Sequence, residues 1–291
     1  MRFRLLIIIL LMPLFSFSQT FEKWKALVNW DGTTYWWKYL TISPKYFGPN
    51  ALTIPFINNG SIDSVNSLAV TGNFHFSKGD NTQNIALYGN YTTKSNTIAV
   101  DVQFVPYEQF TLSQAKKDER KIYYESYYDK ATVGDVLVNT TVQLFKKQRA
   151  HFHLALRIGL RLPSGGGQGS ARYADVPGYW IDLGGALPLS NEWKWVSMAG
   201  FYVWQTNSDV LRQDDALLCG TGLEWNKGNF RLQNYFAAYF GYKRNGDDPI
   251  VYRMSAEKRN KNITWILRFQ QGLQDFYYSS FETGIKYNFR N

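Results

Sequence analysis

Apolar and polar residues alternate with a period of two along most of the chain. Phe152, Leu154, Leu156, Ile158, Leu160 and Leu162 interleave with His153, Ala155, Arg157, Gly159 and Arg161. Leu68, Val70, Phe74 and Phe76 do the same against Ala69, Thr71, Asn73, His75 and Ser77, and Ile98, Val100, Val102 and Phe104 against Ala99, Asp101 and Gln103. Successive side chains of a strand point to opposite faces, so each run describes a ribbon with one apolar and one polar side. The pattern predicts strands at 36–43, 67–77, 83–93, 97–105, 107–115, 132–145, 151–162, 178–188, 193–205, 215–225, 230–242, 250–258, 262–270 and 276–289. Fourteen result. Twelve is the alternative count, the 107–115 segment having the weakest alternation. Brief connections (79–81, 146–149, 190–192, 226–228, 259–261) alternate with long ones (44–66, 115–131, 163–176, 206–214). Short turns on one rim and long loops on the other are the mark of an all-β, antiparallel, up-and-down transmembrane β-barrel.

Composition agrees with that reading. The 291 residues are 17% aromatic, with 20 Tyr, 20 Phe and 10 Trp, while mean hydropathy stays at −0.33. Past residue 17 no apolar run is long enough for a helical span. Trp36 and Trp37 open the first expected strand, Trp193 and Trp195 another, and Trp225 ends one. These rings are expected at the periplasmic rim, with Trp180 and Trp204 at the opposite rim as interfacial girdles.

The N-terminus changes the picture by adding a destination. Arg2 and Arg4, the apolar run from Leu5 to Phe17, and the small residues Ser16 and Ser18 describe a secretory signal peptide over 1–18, cleaved before Gln19. The mature barrel is then 19–291. It carries 30 basic and 23 acidic residues, a net +7. An exported chain of this charge meets anionic lipid or anionic solutes, not nucleic acid. Cys219 is the only cysteine, so no intramolecular disulfide forms and no lipidated cysteine follows the signal.

At the other end, Glu282-Thr283-Gly284-Ile285-Lys286-Tyr287-Asn288-Phe289 resembles the β-signal that the outer-membrane assembly machinery reads on a last strand, with Gly284, Tyr287 and Phe289 at its marked positions. Arg290 and Asn291 follow, where many such proteins end on the aromatic. Ser43-Pro44-Lys45-Tyr46-Phe47-Gly48-Pro49-Asn50-Ala51, together with Gly159 to Gly165 and Ala171-Arg172-Tyr173-Ala174-Asp175-Val176-Pro177-Gly178-Tyr179, resembles a group of Bacteroidota outer-membrane barrel proteins. The strand–Leu-Pro-Ser-Gly–loop layout is also loosely similar to the phenol-degradation-pathway transporter-like barrels. Neither resemblance implies a catalytic residue.

If the apolar face meets lipid, the other face lines the lumen. His153, Arg157, Arg161, Arg268 and Lys286, with Asp135, Asp182, Glu224 and Glu282, are then luminal. Opposed charges across a pore set up a transverse field that selects by charge and size. The expected function is a pore or binding barrel for small polar solutes, anionic ones included, without a cofactor. A closed structural barrel, its charges spent on internal ion pairs, is the alternative. A third reading is a lipid hydrolase: His75 and Ser77 share a face, and the spacing is similar to the His-x-Ser of outer-membrane phospholipase A. Against it, the face is luminal, the position falls near the periplasmic rim and no supporting Asn or acid can be placed. His151 and His153 also share a face, all three histidines falling near one rim, but no Cys or carboxylate is spaced to complete a metal shell. Gly165 to Gly169 lacks the Lys-Ser/Thr of a phosphate loop and reads as a flexible external loop.

Overall fold

The structure, a computed structural model, describes residues 21–123, 131–147 and 152–289. The signal-peptide reading of 1–18, His151 and Arg290 lie outside these residues. Among them no helix is long and apolar enough to cross a membrane.

Twelve long antiparallel strands close into an up-and-down barrel: β1 (Asn66–Ser77), β2 (Asp80–Thr92), β3 (Ile98–Leu112), β5 (Val136–Lys147), β6 (Phe152–Leu162), β7 (Gly178–Pro188), β8 (Trp193–Gln205), β9 (Gln213–Lys227), β10 (Phe230–Phe240), β11 (Ile250–Asn260), β12 (Ile263–Gln274) and β13 (Ser279–Phe289). A two-residue strand, β4 (Ala131–Thr132), adds to the edge of β3. The barrel closes where β1 meets β13, from Asn66 opposite Phe289 to Phe76 opposite Ser279. Closure gives every long strand a partner on both sides, with β4 taking over from β5 along the long-loop end of β3, and a lipid environment requires such closure.

Two features reduce the fourteen expected strands to twelve. The segments 97–105 and 107–115 are one strand, β3, broken in pattern by a bulge: Leu87 lies opposite Phe104, but Ile85 lies opposite Tyr107. The extra residue reverses which side chains face inward, so Ala99 and Asp101 are followed by Glu108 and Phe110. The segment 36–43 is not a strand. Trp36–Tyr39 is a 3-10 helix, and the chain after it runs inside the barrel.

The outward face is apolar along its length: Leu68, Phe201 and Trp265 are 61%, 62% and 57% exposed, and their strand neighbours Ser67, Tyr202 and Ile266 are buried. Burying apolar surface is worth roughly 25 cal/mol per Å², so a belt of this kind wants lipid around it. Trp193 and Trp195 are exposed at the rim of short turns. Trp180 and Trp204 are not girdle residues. They point inward, buried against Tyr202 and Tyr239, and the outward aromatics near the long-loop rim are Phe76, Tyr107, Tyr179 and Phe240. Trp36 and Trp37 also lie at the long-loop rim, since Asn207 Nδ2 donates to Trp37 O at 2.6 Å.

Candidate functional site

The lumen holds the chain's own N-terminal segment. Residues 21–28 form a helix (α1) at the long-loop rim, where Lys23 pairs with Asp118 of helix α2 (Gln114–Glu119) and Trp24 Nε1 donates to Lys121 O. From there residues 40–65 run through the barrel to the short-turn rim, where β1 begins. Backbone outside a strand or helix needs partners when buried, and inward side chains supply them. Tyr239 Oη donates to Leu52 O at 2.9 Å, Arg253 Nη2 to Ile54 O at 2.7 Å and Nη1 to Pro55 O at 3.0 Å, Gln143 Nε2 to Gly60 O at 2.7 Å, and Thr92 Oγ1 to Asp63 O at 2.7 Å. The plug's apolar side chains Leu40, Ile42, Phe47, Leu52, Ile54 and Ile57 pack on Trp180, Val196, Met198, Tyr202, Leu218 and Tyr239, against the wall from β7 to β10.

At the long-loop end, a buried charge cluster ties loops, plug and wall together. Arg172 donates from Nη1 to Asp80 Oδ2 and from Nη2 to Glu108 Oε1, both at 2.7 Å. Arg120 Nη1 reaches Asp80 Oδ2 at 2.7 Å, and its Nη2 donates to Tyr278 Oη at 2.8 Å. Tyr173 Oη and Asn50 Nδ2 donate to Glu108 Oε2 at 2.8 and 2.7 Å. Two guanidiniums face two carboxylates, and all four are buried. Burial alone would lower Arg172, but Glu108 and Asp80 outweigh it and hold the guanidinium above its ordinary value. Burial, helped by Asp80, raises Tyr278, which keeps it a donor. Gly48 is required here: a Cβ on it would lie 2.8 Å from Arg172 Cζ, and its own N–H donates to Ala171 O. The segment around Gly165 to Gly169 is thus not a free external loop. Gly165 and Gly166 donate their N–H groups to Asp135 Oδ1 and Val133 O, and Arg172 folds in behind them.

Beside the plug, toward β1–β3 and β11–β13, three cavities follow one another. The first, of about 280 Å³ at mid-lumen, is lined by Phe56, Asp101, Arg157, Arg253 and Arg268 among others. The second, of about 250 Å³, shares Tyr88, Asp101, Arg157 and Arg268 with it. The third, of about 310 Å³, shares Asp63, Arg231 and Lys286 with the second and reaches Gly228 and Asn288 at the short-turn rim.

The charged candidates on the inner face sit in ion pairs. Arg157 Nε meets Asp182 Oδ2 at 2.8 Å, Arg161 Nη1 meets Asp135 Oδ2 at 2.9 Å, and Arg231 Nη2 meets Glu224 Oε2 at 2.9 Å. Arg268 Nη1 meets Glu282 Oε1 at 2.6 Å, and Lys286 Nζ meets Glu257 Oε2 at 3.1 Å. His153, the second residue of β6, lies at the short-turn rim on the inward-facing side of the alternation with Phe152 and Leu154. Arg231, Arg253 and Glu257 were not among the sequence candidates, although their alternation with Leu232, Tyr252 and Ala256 places them on the same face.

His75 and Ser77 need correcting. Both lie at the long-loop rim, whereas His153 lies near the start of β6 at the short-turn rim, so the described histidines do not gather at one rim. Nor do the two act as a pair. Ser280 Oγ lies 2.7 Å from His75 Nδ1 and Asn84 Nδ2 lies 3.0 Å from Nε2, so both ring nitrogens are engaged without Ser77. A supporting Asn is therefore present after all, but for Ser280. Ser280 sits within a strand paired on both sides, so its backbone N–H groups are committed to the sheet. An oxyanion would find no free pair of donors there. With the amides oriented as they stand, Asn73 donates to Asn84 and Asn84 to His75, so the ring donates to Ser280 and does not accept its proton.

No family model and no curated protein matches the chain. Among solved structures it is similar to an outer membrane channel from Pseudomonas putida F1, with a TM-score of 0.61 at 9% identity, covering 81% of this chain and 100% of that one. It is also similar to the NanC porin, with a TM-score of 0.54 at 9% identity, over 76% of this chain and 100% of that one. The likeness is one of fold: both neighbours are outer-membrane barrels.

Proposed function

We propose that the protein is an outer-membrane channel that passes small polar solutes, anionic ones included, through the half of the lumen its plug leaves free. The observation that carries this reading is the succession of three charged cavities from mid-lumen to the short-turn rim. Six basic side chains and four acidic ones line them, which favours anions over cations. In this reading the 1–18 segment is a signal peptide cleaved before Gln19, the short-turn rim faces the periplasm, and lipid surrounds the outer belt.

The last strand fits recognition by the assembly machinery. Ile285, Tyr287 and Phe289 point outward, while Gly284 faces the closing seam, where a Cβ would lie 2.3 Å from Val70 O. Glycine thus lets β13 come up against β1.

The outer end of the free half is sealed by the Asp80–Glu108–Arg120–Arg172 cluster, so passage requires this latch or the plug to move. The same latch favours a second reading, a permanently closed structural barrel. Conductance across a planar bilayer separates them. A channel shows discrete openings that become more frequent or larger in Arg172→Met. A barrel that stays silent both as wild type and as Arg172→Met, while folded by its heat-shifted mobility on gels, overturns the channel.

A further inference from the structure

The mid-lumen cavity carries unbalanced charge of opposite sign on its two sides. On the β3–β7 side, two carboxylates share one guanidinium. Arg157 bonds to Asp182, and it also lies within electrostatic reach of Asp101. Asp101 Oδ1 accepts from Asn139 Nδ2 at 2.8 Å, and among the described residues no cation forms an ion pair with it. Asn139 Oδ1 is buried with no hydrogen-bond partner. This side therefore presents acceptors and one surplus negative charge.

On the β11–β13 side, two guanidiniums face one carboxylate. Arg268 takes Glu282, and Glu257 is matched by Lys286. Arg253, only 7% exposed, donates to Gln270 Oε1, Ile54 O and Pro55 O, all of them neutral. The plug's Phe56 lies between the two guanidiniums, 4.8 Å from Arg253 and 4.9 Å from Arg268, and covers their faces. Around the barrel, β5 and β11 are six strands apart, so Asn139 and Arg253 stand on opposite walls of one cavity.

A buried charge without a partner is costly. An anion bound at Arg253 would face Asp101, and a cation bound at Asp101 would face Arg253. A molecule carrying both charges satisfies both walls. We propose that this cavity binds a small zwitterion of the α-amino acid type, its carboxylate towards Arg253 and its ammonium towards Asp101 and Asn139. The volume of about 280 Å³ lies at the small end of ligand pockets, which run from roughly 300 to 1,000 Å³, so the solute is small. The inference rests on the lumen being a solute path and names its cargo.

Isothermal titration of the full mature protein in detergent micelles tests it with three matched probes. L-valine carries both charges, isovalerate lacks the ammonium and isobutylamine lacks the carboxylate. Valine is expected to bind about tenfold more tightly than either. Asp101→Asn, nearly isosteric, should remove that preference over isovalerate. Arg253→Gln should remove the preference over isobutylamine. If isovalerate binds as tightly as valine to the wild type, the site is a plain anion site and the inference fails. It fails equally if valine gives no saturable heat, or if Asp101→Asn leaves the preference intact. Bilayer conductance reads the channel independently: openings without valine binding sink the zwitterion alone, and binding without openings sinks the channel, and with it valine as cargo, while the binding site remains.

Discussion

The two halves of the lumen are built from different chemistry. Toward β7–β10 the inward residues are Trp180, Val196, Met198, Tyr202, Leu218 and Tyr239, and the plug's apolar side chains are packed onto them. That half is a protein core that happens to lie inside a barrel. Toward β1–β3 and β11–β13 the inward residues are Asp101, Arg253, Arg268, Glu282 and Lys286, and the plug leaves cavities beside them. One wall fastens the plug through area and close packing. The other keeps polar walls with cavities beside the plug, and the Asp80–Glu108–Arg120–Arg172 cluster lies at its long-loop end. In the proposed channel, a narrow path runs past a segment that is itself firmly held.

The largest effect should come from opening the free half at its latch. Arg172→Met leaves Glu108 and Asp80 buried with fewer partners, and breaking a buried pair from one side costs about 3–5 kcal/mol. A fall in thermal midpoint together with larger or more frequent openings is expected. A variant that keeps wild-type stability would show that the cluster does not hold the loops. Slightly smaller is the loosening of the solid half. Leu52 is buried against the β7–β10 wall, and Leu52→Ala should cost about 2–5 kcal/mol. It should release the plug, seen as faster proteolysis of the N-terminal segment, with the β-sheet circular dichroism unchanged. Simultaneous loss of both signals would mean that plug and barrel are one cooperative unit.

Gly284→Val touches neither half but the seam between β1 and β13. Overpacking there costs about 1–3 kcal/mol, and the yield of heat-shifted, folded barrel should drop. An unchanged yield would remove the packing reason for that glycine. Smallest is the pH response of α1, which caps the outer rim through Lys23 and Asp118. Burial pulls Asp118 upward, but its bonds from Lys23 and Gln114 win and hold its carboxyl below the ordinary 3.8. A lowered carboxylate stabilises the folded form above that value and loses its contribution as the pH falls below it. The helix should therefore stay docked at neutral pH and loosen only under strong acid, as followed by Trp24 fluorescence. Loosening near neutrality would contradict this pairing.

Much of the barrel was legible because a strand's period of two is written directly in the residues. The face shared by Arg157, His153 and Arg161, the last strand and the alternation of short and long connections from β5 to β11 all follow from it, whereas the tight turn between β1 and β2 falls at the long-loop rim and not among the short turns. The failures have physical causes. A bulge in β3 inserts one residue, so Glu108 turns inward where simple alternation loses the count. Trp36 to Ile42 has the aromatic and branched composition of a strand, but the long strands already have partners on both sides; Trp36–Tyr39 turns into a 3-10 helix at the long-loop rim, and Leu40 and Ile42 are the residues of that segment that bury their side chains. The Gly165 to Gly169 segment looks mobile by composition, yet Arg172 a few residues on finds two carboxylates brought from β2 and β3.

The sequence by itself determined the ribbon pattern, the two faces and the charges on the inner one, because these depend on neighbours two residues apart. Only the tertiary structure decided that the N-terminal segment fills one half of the lumen, that Arg172 meets Asp80 and Glu108, and that Arg253 and Asp101 face one cavity. Those relations join residues distant in the chain, 64 positions for Arg172 and Glu108 and 199 for Arg253 and Ile54, and no local pattern records which partner a closed barrel will bring within reach.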